Sequence, residues 1–307
     1  MTRFLCIVLI AFSFILAADG KVLIWEVSAP NLPGKAYLAG SIHSGKAKWY
    51  PLDEAYDRAF DASSVIYFEI YKPDPQEIAK WTMLYGLFRD GKTLSLVIGV
   101  PDFQEVCRFY AVHSPNMQPA LLERFRPWML SVQISNIYLM KHPEISREFG
   151  LESVFTKHLG DKKPESLESI EAQLKAMSDI SDAAAGRLLM EGIRDFANAG
   201  RDMNRIFQAL ETGVPDELSL ITNEMAFKHP EFHRKLFVER NRQIASKVYE
   251  MLKRKQTVFI LVGAGHFAGK GSILEELRNR DCTTIQLKRQ GKPGRLDPVP
   301  IKKHVTV

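Results

Sequence analysis

Two histidines follow glycines at the ends of hydrophobic runs that lie far apart in the chain. His43 is in the segment KAYLAGSIHSG and His266 is in TVFILVGAGHFAG, each three residues after a glycine, Gly40 or Gly263. A neutral imidazole can bind a metal ion, and it can also act as a general acid or base. The repeated pattern therefore predicts either two halves of one site or two glycine turns with hydrogen-bonded loop histidines.

An acidic residue interrupts a third hydrophobic run, SSVIYFEI, which ends in Glu69 and Ile70. Burial of an unpaired carboxylate is costly, so Glu69 needs a partner unless it lies at an exposed strand end. A cation, a metal ion or a histidine at a neighbouring strand end would serve, and His43 follows the preceding strand. Glu69 is therefore the third candidate site residue.

Arg240 and Asn241 lie in the segment FVERNRQIASKV, whose spacing predicts a helix. A charged run of this kind is typical of a solvated helix face. In the functional interpretation, Arg240 neutralises a carboxylate or a developing oxyanion and Asn241 orients a neighbouring group. Both interpretations remain open from the residues alone.

The elements that carry these residues predict an α/β fold. Residues 21–71 read as strands VLIWEVS, AYLAGSI and SVIYFEI with a helix before the last, and residues 256–288 repeat the strand, glycine loop, helix and strand. Between them, residues of about 74–255 show helical spacing of apolar residues and predict a large helical insertion. Parallel pairing of the strands would bring His43 and His266 to one edge of a central sheet, where open α/β sheets bind ligands.

The two ends of the chain differ from the rest. Arg3 precedes an unbroken apolar run in residues 4–18, which predicts a signal peptide in residues 1–18 and an exported protein; membrane anchoring through an uncleaved segment is the alternative. Residues 19–289 are the predicted α/β domain, and the basic residues 290–307 a flexible tail. The export prediction permits a disulfide between Cys107 and Cys282, but two thiols are equally compatible with the sequence.

The composition is that of an ordinary globular protein, with 46% hydrophobic and 25% charged residues in a chain of 307. The formal net charge is +5, but the basic residues form no stripe with interleaved aromatics. Nucleic acid is therefore not an expected partner.

In order along the chain, several segments resemble the TraB/GumN family, which includes the Tiki-type metalloproteases and is related to erythromycin-esterase-like and ChaN-like proteins. The resemblance covers roughly residues 22–288 and rests on YLAGSIHSG, the strand ending in Glu69, DGKTLSLVI, RPWML, GLESVF, LESIEAQL, ERNRQIA and VGAGHFAGKGSILEEL. It implies that His43, Glu69 and His266 gather around one site which Arg240 and Asn241 face.

The same resemblance assigns weaker roles to two further glutamates. Glu168, in LESIEAQL, is expected to be structural. Glu152, in GLESVF, stands where some relatives have aspartate, so no direct role is assigned to it.

The chemistry predicted for this site is metal-dependent hydrolysis of a peptide or protein substrate. His43, Glu69 and His266 would hold a divalent ion, Mn, Co or Zn, and Arg240 would stabilise the oxyanion. No HExxH motif is present, so a helical zinc-protease site is not supported. The alternatives are a metal-independent esterase-like hydrolase, in which Glu69 orients a histidine base, and a non-catalytic protein that binds haem or a signalling peptide.

Overall fold

A six-stranded sheet organises the computed structural model, which describes residues 20–89 and 91–298. Its strands are β1 (Lys21–Ser28), β2 (Lys35–Ser41), β3 (Val65–Phe68), β4 (Lys163–Ser166), β5 (Thr257–Gly263) and β6 (Thr283–Lys288), and their order across the sheet is β4-β3-β5-β2-β1-β6. The described residues also contain the α-helices α1 (Glu54–Asp61), α2 (Pro75–Gly86), α3 (Leu94–Ile98), α4 (Val100–His113), α5 (Pro119–Leu122), α6 (Pro127–Met140), α7 (Leu151–Lys157), α8 (Ile170–Ser178), α9 (Asp182–Arg194), α10 (Ala199–Thr212), α11 (Asp216–Lys228), α12 (Pro230–His233), α13 (Glu239–Leu252) and α14 (Ile273–Arg278). The predicted α/β class is confirmed.

The strands of the two predicted units are interleaved. Strand β5 pairs in parallel with β2 on one side and with β3 on the other, and β3 pairs in parallel with β4. Strand β1 is antiparallel to both β2 and β6. The carboxyl ends of β2, β3, β4 and β5 therefore lie at one edge of the sheet, the edge at which the candidate histidines were expected.

Both faces of the sheet are covered by helices, which explains the continuous apolar run of β5. Its residues 258–262 are all buried. On one face, strand residues such as Leu38 and Ile260 pack with α13 and α14. On the other face, Ile66 and Phe259 pack with α1 and α7. A strand buried on both faces reads as an unbroken hydrophobic run.

The segment between the two units is helical apart from one strand that the sequence did not predict. Helices α2 to α13 lie within the predicted insertion, but β4 (KPES) also lies there and forms an edge of the sheet. This strand is short, contains a proline and has no fully buried residue. A short polar edge strand lacks the apolar alternation on which strand prediction depends.

The chain termini correct one prediction and leave another untested. Residues 290–298, expected to be part of a flexible tail, pack against the domain: Leu296 is buried in the core, and Arg295 pairs with Asp57 and Asp61 of α1. The proposed signal segment lies outside the described residues. Within residues 20–89 and 91–298, no helix is long and apolar enough to cross a membrane.

The two cysteines considered for a disulfide are both free thiols. Cys282 is buried, and Cys107 is partly exposed in α4. The structure therefore has two thiols at these positions and no disulfide between them.

Candidate functional site

Four candidate side chains follow the four parallel strand ends at one edge of the sheet. His43 follows β2, Glu69 follows β3, Glu168 follows β4, and His266 lies in a 3₁₀ turn, Ala264–Phe267, after β5. Backbone hydrogen bonds continue past the strands and fix the two acidic residues side by side, because Glu168 N donates to Glu69 O at 3.1 Å. The sheet thereby places two carboxylates next to each other.

Arg240 binds both carboxylates. Its guanidinium, on α13, donates from Nη2 to Oε1 of Glu69 and to Oε1 of Glu168, and from Nε to Oε2 of Glu168 at 3.2 Å. All three residues are buried or nearly so, with side chains only 8–10% exposed. Arg240 is therefore buried beside Glu69, and the interpretation of a solvated helix face is wrong for this residue.

Two further donors complete the environment of Glu69. Gln173 Nε2, on α8, donates to Glu69 Oε1 at 2.7 Å, and Gly263 N donates to Glu69 Oε2 at 3.3 Å. Burial alone would raise the pKa of Glu69, but the charge of Arg240, with smaller contributions from the two histidines, outweighs burial and holds the pKa at about 2. Glu69 is thus ionised at neutral pH.

Glu168 has the opposite balance. Burial is the largest effect on its pKa and raises it above the ordinary value, although the hydrogen bond and charge of Arg240 oppose this effect. The negative charge of Glu69 contributes to the same rise. The guanidinium therefore lies between two carboxylates of unequal acidity, of which Glu69 is the stronger acid.

His266 is held as a neutral imidazole in one tautomer. Asn241 Nδ2 donates to Gly271 O at 2.7 Å, so its Oδ1 points the other way and accepts from His266 Nδ1 at 2.5 Å. Nδ1 must then carry the proton, and Nε2 is unprotonated and accepts a long hydrogen bond from Arg240 Nη1 at 3.4 Å. Burial, followed by the charge of Arg240, lowers the pKa of His266 to about 4.

A π-helical segment, Arg234–Val238, joins α12 to α13 immediately before Arg240 and Asn241. The carbonyl of Leu236 in this segment accepts a hydrogen bond from Arg240 Nη1 at 3.1 Å. The ring of the next residue, Phe237, lies 5.1 Å from the ring of His266. One irregular turn thus orients the arginine and packs against the histidine, in keeping with the frequent occurrence of π turns at functional sites.

His43 lies apart from this buried cluster and has a different carboxylate partner. Its Nδ1 lies 3.0 Å from Glu152 Oε1, on α7, and its side chain is 73% exposed. Ser41 Oγ donates to the same oxygen at 2.6 Å, while Glu152 Oε2 is buried and has no hydrogen-bond partner within residues 20–89 and 91–298. The hydrogen bond that His43 donates to Glu152 and the negative charge of Glu152 raise the pKa of His43 to about 9. His43 is therefore a protonated imidazole at neutral pH.

Glycine 150 explains how Glu152 reaches His43. A Cβ atom at Gly150 would lie 2.2 Å from the carbonyl oxygen of His43, and Leu151 N donates to Ile42 O at 3.2 Å. The start of α7 is thus pressed against the His43 loop, which only a residue without a side chain allows. Glu152 then projects from the first turn of this helix.

The glycines that precede the two histidines do not form the sharp turns that their positions suggested. Gly40 and Gly263 both have ordinary negative φ, and an added Cβ at Gly40 would meet Ala264 at 3.4 Å. Gly269, which follows the second histidine, has φ of 74° and lies against Thr222, where a Cβ would approach Oγ1 to 2.4 Å. Close packing and one left-handed residue account for these glycines.

The three predicted metal ligands are not assembled as a ligand set. Glu69 and His266 lie together, but His43 pairs with Glu152, and no cluster of three or more His, Cys, Asp or Glu able to hold a metal ion occurs among residues 20–89 and 91–298. The guanidinium of Arg240 contacts Glu69 and lies 3.4 Å from His266 Nε2. A cationic side chain therefore takes the position between the two donors, and the residues as arranged do not fit a metal ion.

Two contacts of this site could not be recognised from the sequence. Gln173 lies in the LESIEAQL segment that supported the family resemblance, but a single glutamine on a helix carries no chemical signal of its own. Glu152 was left without a role, and the structure makes it the partner of His43. Glu168, expected to be structural, holds Arg240 beside Glu69.

Comparisons with known proteins find similarity over most of the chain. The model of the TraB/PrgY/gumN family matches residues 23–286. An uncharacterised protein of Treponema pallidum is 22% identical over 84% of this chain and 80% of its own length. "Metalloprotease TIKI2" of Danio rerio is 22% identical over 85% of this chain and 60% of its own length. No solved structure matches the chain.

Proposed function

We propose that this chain, which belongs to the TraB/PrgY/gumN family, is an exported hydrolase. The bonds that it cleaves are peptide bonds or related acyl bonds. Family membership and the similarity to a metalloprotease indicate a hydrolase- or peptidase-like role. The site proposed for the reaction comprises His266, Asn241, Arg240 and Glu69 together with His43. Its substrate is a peptide or protein.

The observation that carries this proposal is the opposite protonation of the two motif histidines. Burial lowers the pKa of His266 to about 4, whereas Glu152 raises the pKa of His43 to about 9. A pair of titratable groups whose pKa values are driven apart supplies a base and an acid at the same pH. At neutral pH, His266 can accept a proton and His43 can donate one.

The proposed reaction follows from these protonation states. His266 Nε2 accepts a proton from water as the water oxygen bonds to the acyl carbon. The carbonyl oxygen gains negative charge, and it accepts a hydrogen bond from Arg240 Nη1, which loses its acceptor when His266 Nε2 is protonated. When the bond from the acyl carbon to the leaving nitrogen or oxygen breaks, His43 supplies the proton to the leaving atom from Nε2, the nitrogen that does not face Glu152.

The roles of the remaining residues are positional. Asn241 holds the His266 tautomer in which Nε2 is unprotonated. Glu69 and Glu168 hold Arg240 by charge-assisted hydrogen bonds. Glu152 keeps His43 protonated and orients its ring.

A second candidate is a metal-dependent peptidase, favoured by the similarity to "Metalloprotease TIKI2" of Danio rerio. Manganese, cobalt and zinc suit mixed nitrogen and oxygen donors. This candidate requires Arg240 to leave Glu69, and Glu168 already binds the arginine through two atoms, Nε and Nη2. Because the residues do not fit the ion as arranged, no reaction step is assigned to it.

One experiment tests the proposal and separates the two candidates. Protein purified without chelators is analysed for Mn, Co and Zn and assayed on a peptide library before and after dialysis against EDTA. The variants His43→Ala and His266→Ala are compared with His142→Ala, a matched control whose ring pairs with Glu144 on the surface.

The proposal predicts cleavage that survives EDTA and is lost in both site variants but not in the control. Bound metal together with activity abolished by EDTA would replace the first candidate with the metal-dependent one. No cleavage of any peptide or ester, with or without added metal, contradicts both.

A further inference from the structure

A cavity of about 470 Å³ lies among the helices of the central region, outside the polar cluster described above. Helices α6, α9, α10 and α11 and the segment joining α12 to α13 surround it. Its walls are mainly apolar, with contributions from Trp128, Leu188, Met203, Met225, Phe232 and Leu236. This volume is within the range of small-molecule sites, which are concave and predominantly hydrophobic.

The cavity and the polar cluster share one wall, the π-helical segment before Arg240. Leu236 lines the cavity, while its carbonyl accepts the hydrogen bond from Arg240 Nη1. The adjacent residue, Phe237, packs its ring 5.1 Å from His266. A group bound in the cavity would thus lie one helix segment away from the residues proposed to act on a substrate.

Each carboxylate that lines the cavity already has a basic partner. Glu191 pairs with Lys228 at 3.3 Å and with His229 at 2.7 Å. Glu224 and Asp202 pair with Arg205 at 3.3 and 3.5 Å, and Asp195 pairs with Arg201 at 3.8 Å. Because each of these carboxylates already has a basic partner, a charged ligand would find no unpaired group among them, and a neutral apolar ligand is favoured.

We propose that this cavity binds an uncharged aliphatic chain and seats the apolar part of the substrate beside the reaction site. The binding itself follows from the cavity, and only its link to a substrate rests on the proposed hydrolase function. The ligand class is a linear, neutral chain, such as the acyl or alkyl portion of a larger molecule.

The first measurement is the affinity of the full chain for the neutral dye Nile red, followed by its displacement with dodecanol, dodecanoate or dodecylamine. Dodecanol should displace the dye at least tenfold more effectively than either ion. Gly192→Leu should fill the cavity, because a Cβ at Gly192 meets only Ile134, at 3.7 Å, and this variant should weaken dye binding at least tenfold.

If Gly192→Leu does not fold, Met203→Trp is used instead, because residue 203 lines the cavity from α10 and the larger side chain narrows it. Ala111→Leu, on an exposed position of α4, is the matched control and should bind like the wild type. Absence of saturable dye binding to the wild type, equal binding by folded cavity variants, or preferential displacement by one of the ions overturns the inference.

Dye binding is measured without hydrolysis, so its failure is distinct from failure of the proposed reaction. If the dye binds as expected but no peptide or ester is cleaved, the cavity inference stands and its link to a substrate fails. If cleavage occurs but the cavity variants cleave long-chain and short-chain esters with unchanged relative rates, the link fails in the same way.

Discussion

Asn241 Oδ1 lies 2.5 Å from His266 Nδ1, and this contact decides which ring nitrogen of the histidine carries the proton. The amide of Asn241 is itself fixed, because Nδ2 donates to Gly271 O at 2.7 Å. Asn241 therefore selects the tautomer of His266, and burial together with the charge of the preceding residue, Arg240, keeps the ring neutral. The protonation state follows from this local geometry, whichever chemistry the site performs.

Replacement of Asn241 by alanine should lower the rate of hydrolysis by about 10–100-fold, the usual effect of removing a residue that orients a functional histidine. The expected cause is loss of the Nδ1–H tautomer, which ¹⁵N NMR of the imidazole measures directly. Asn279→Ala, at an exposed position after α14, is the control and should change neither quantity. A slower variant whose His266 retains the same tautomer would refute the orienting role.

Replacement of Arg240 by methionine should destabilise the protein by about 3–5 kcal/mol at neutral pH, because the change leaves buried carboxylates without their cation. Urea unfolding measures this free energy. Arg242→Met, in the same helix but with a side chain 61% exposed, should stay within about 1 kcal/mol of the wild type.

The stability lost in Arg240→Met should also depend on pH. Without the guanidinium, burial raises the folded-state pKa of Glu69 and Glu168 above the unfolded value. The folded variant then binds more protons than the unfolded chain, so its stability is greatest at low pH and falls as pH rises through the raised pKa. The difference from wild type should therefore be smaller at about pH 5 than at about pH 7; equal differences would contradict the buried-carboxylate explanation.

His266 should make the wild type less stable in mild acid. Its pKa falls from an ordinary 6.5 to about 4 on folding, so the unfolded chain binds the extra proton first and stability declines as pH falls from 6.5 towards 4. The full loss in the free energy of unfolding due to His266 is on the order of 3 kcal/mol. Protonation of Glu69 causes a similar loss, but only at lower pH. Urea unfolding between about pH 7 and pH 5 should show this slope in the wild type and in His142→Gln. Its persistence in His266→Gln would assign the slope to another group.

The sequence indicated that Glu69 needs a polar partner, but it did not indicate which residue is that partner. The cost of burying Glu69 already required a cation or a histidine, and the structure supplies Arg240. The choice between Arg240 and His43 depended on where β5 inserts, because β5 lies between β2 and β3 and separates the strand ends that carry His43 and Glu69. Strand order is a property of the whole chain and is not encoded in either strand alone.

The position of Glu152 depended on a similar long-range contact. It reaches His43 only because Gly150 lies against the His43 carbonyl, more than a hundred residues away in sequence. Strand β4 escaped prediction for a local reason, since KPES has no apolar alternation and forms only by pairing with β3. Apolar runs in the sequence therefore identified the buried strands. The polar edge strand and the contacts between distant loops could be recognised only in the folded structure.

The pairing of His43 with Glu152 leads to a prediction about both pKa and activity. Glu152→Gln keeps an oxygen for Ser41 but removes the negative charge, so the pKa of His43 should fall from about 9 towards its ordinary value of 6.5. NMR titration of the His43 ring measures this change. Glu148→Gln, a nearby substitution at a side chain 58% exposed, should leave the titration unchanged.

If protonated His43 supplies the proton to the leaving atom, activity should decline on the alkaline side with the pKa of that ring. The decline should occur near pH 9 in the wild type and near neutrality in Glu152→Gln. The free energy of unfolding should also decrease on the alkaline side. The raised pKa of His43 stabilises the fold below pH 6.5, and this contribution is lost as pH rises through 9. A shifted His43 titration with an unshifted rate profile would remove His43 from the proton transfer, while leaving its pairing with Glu152 as a structural contact.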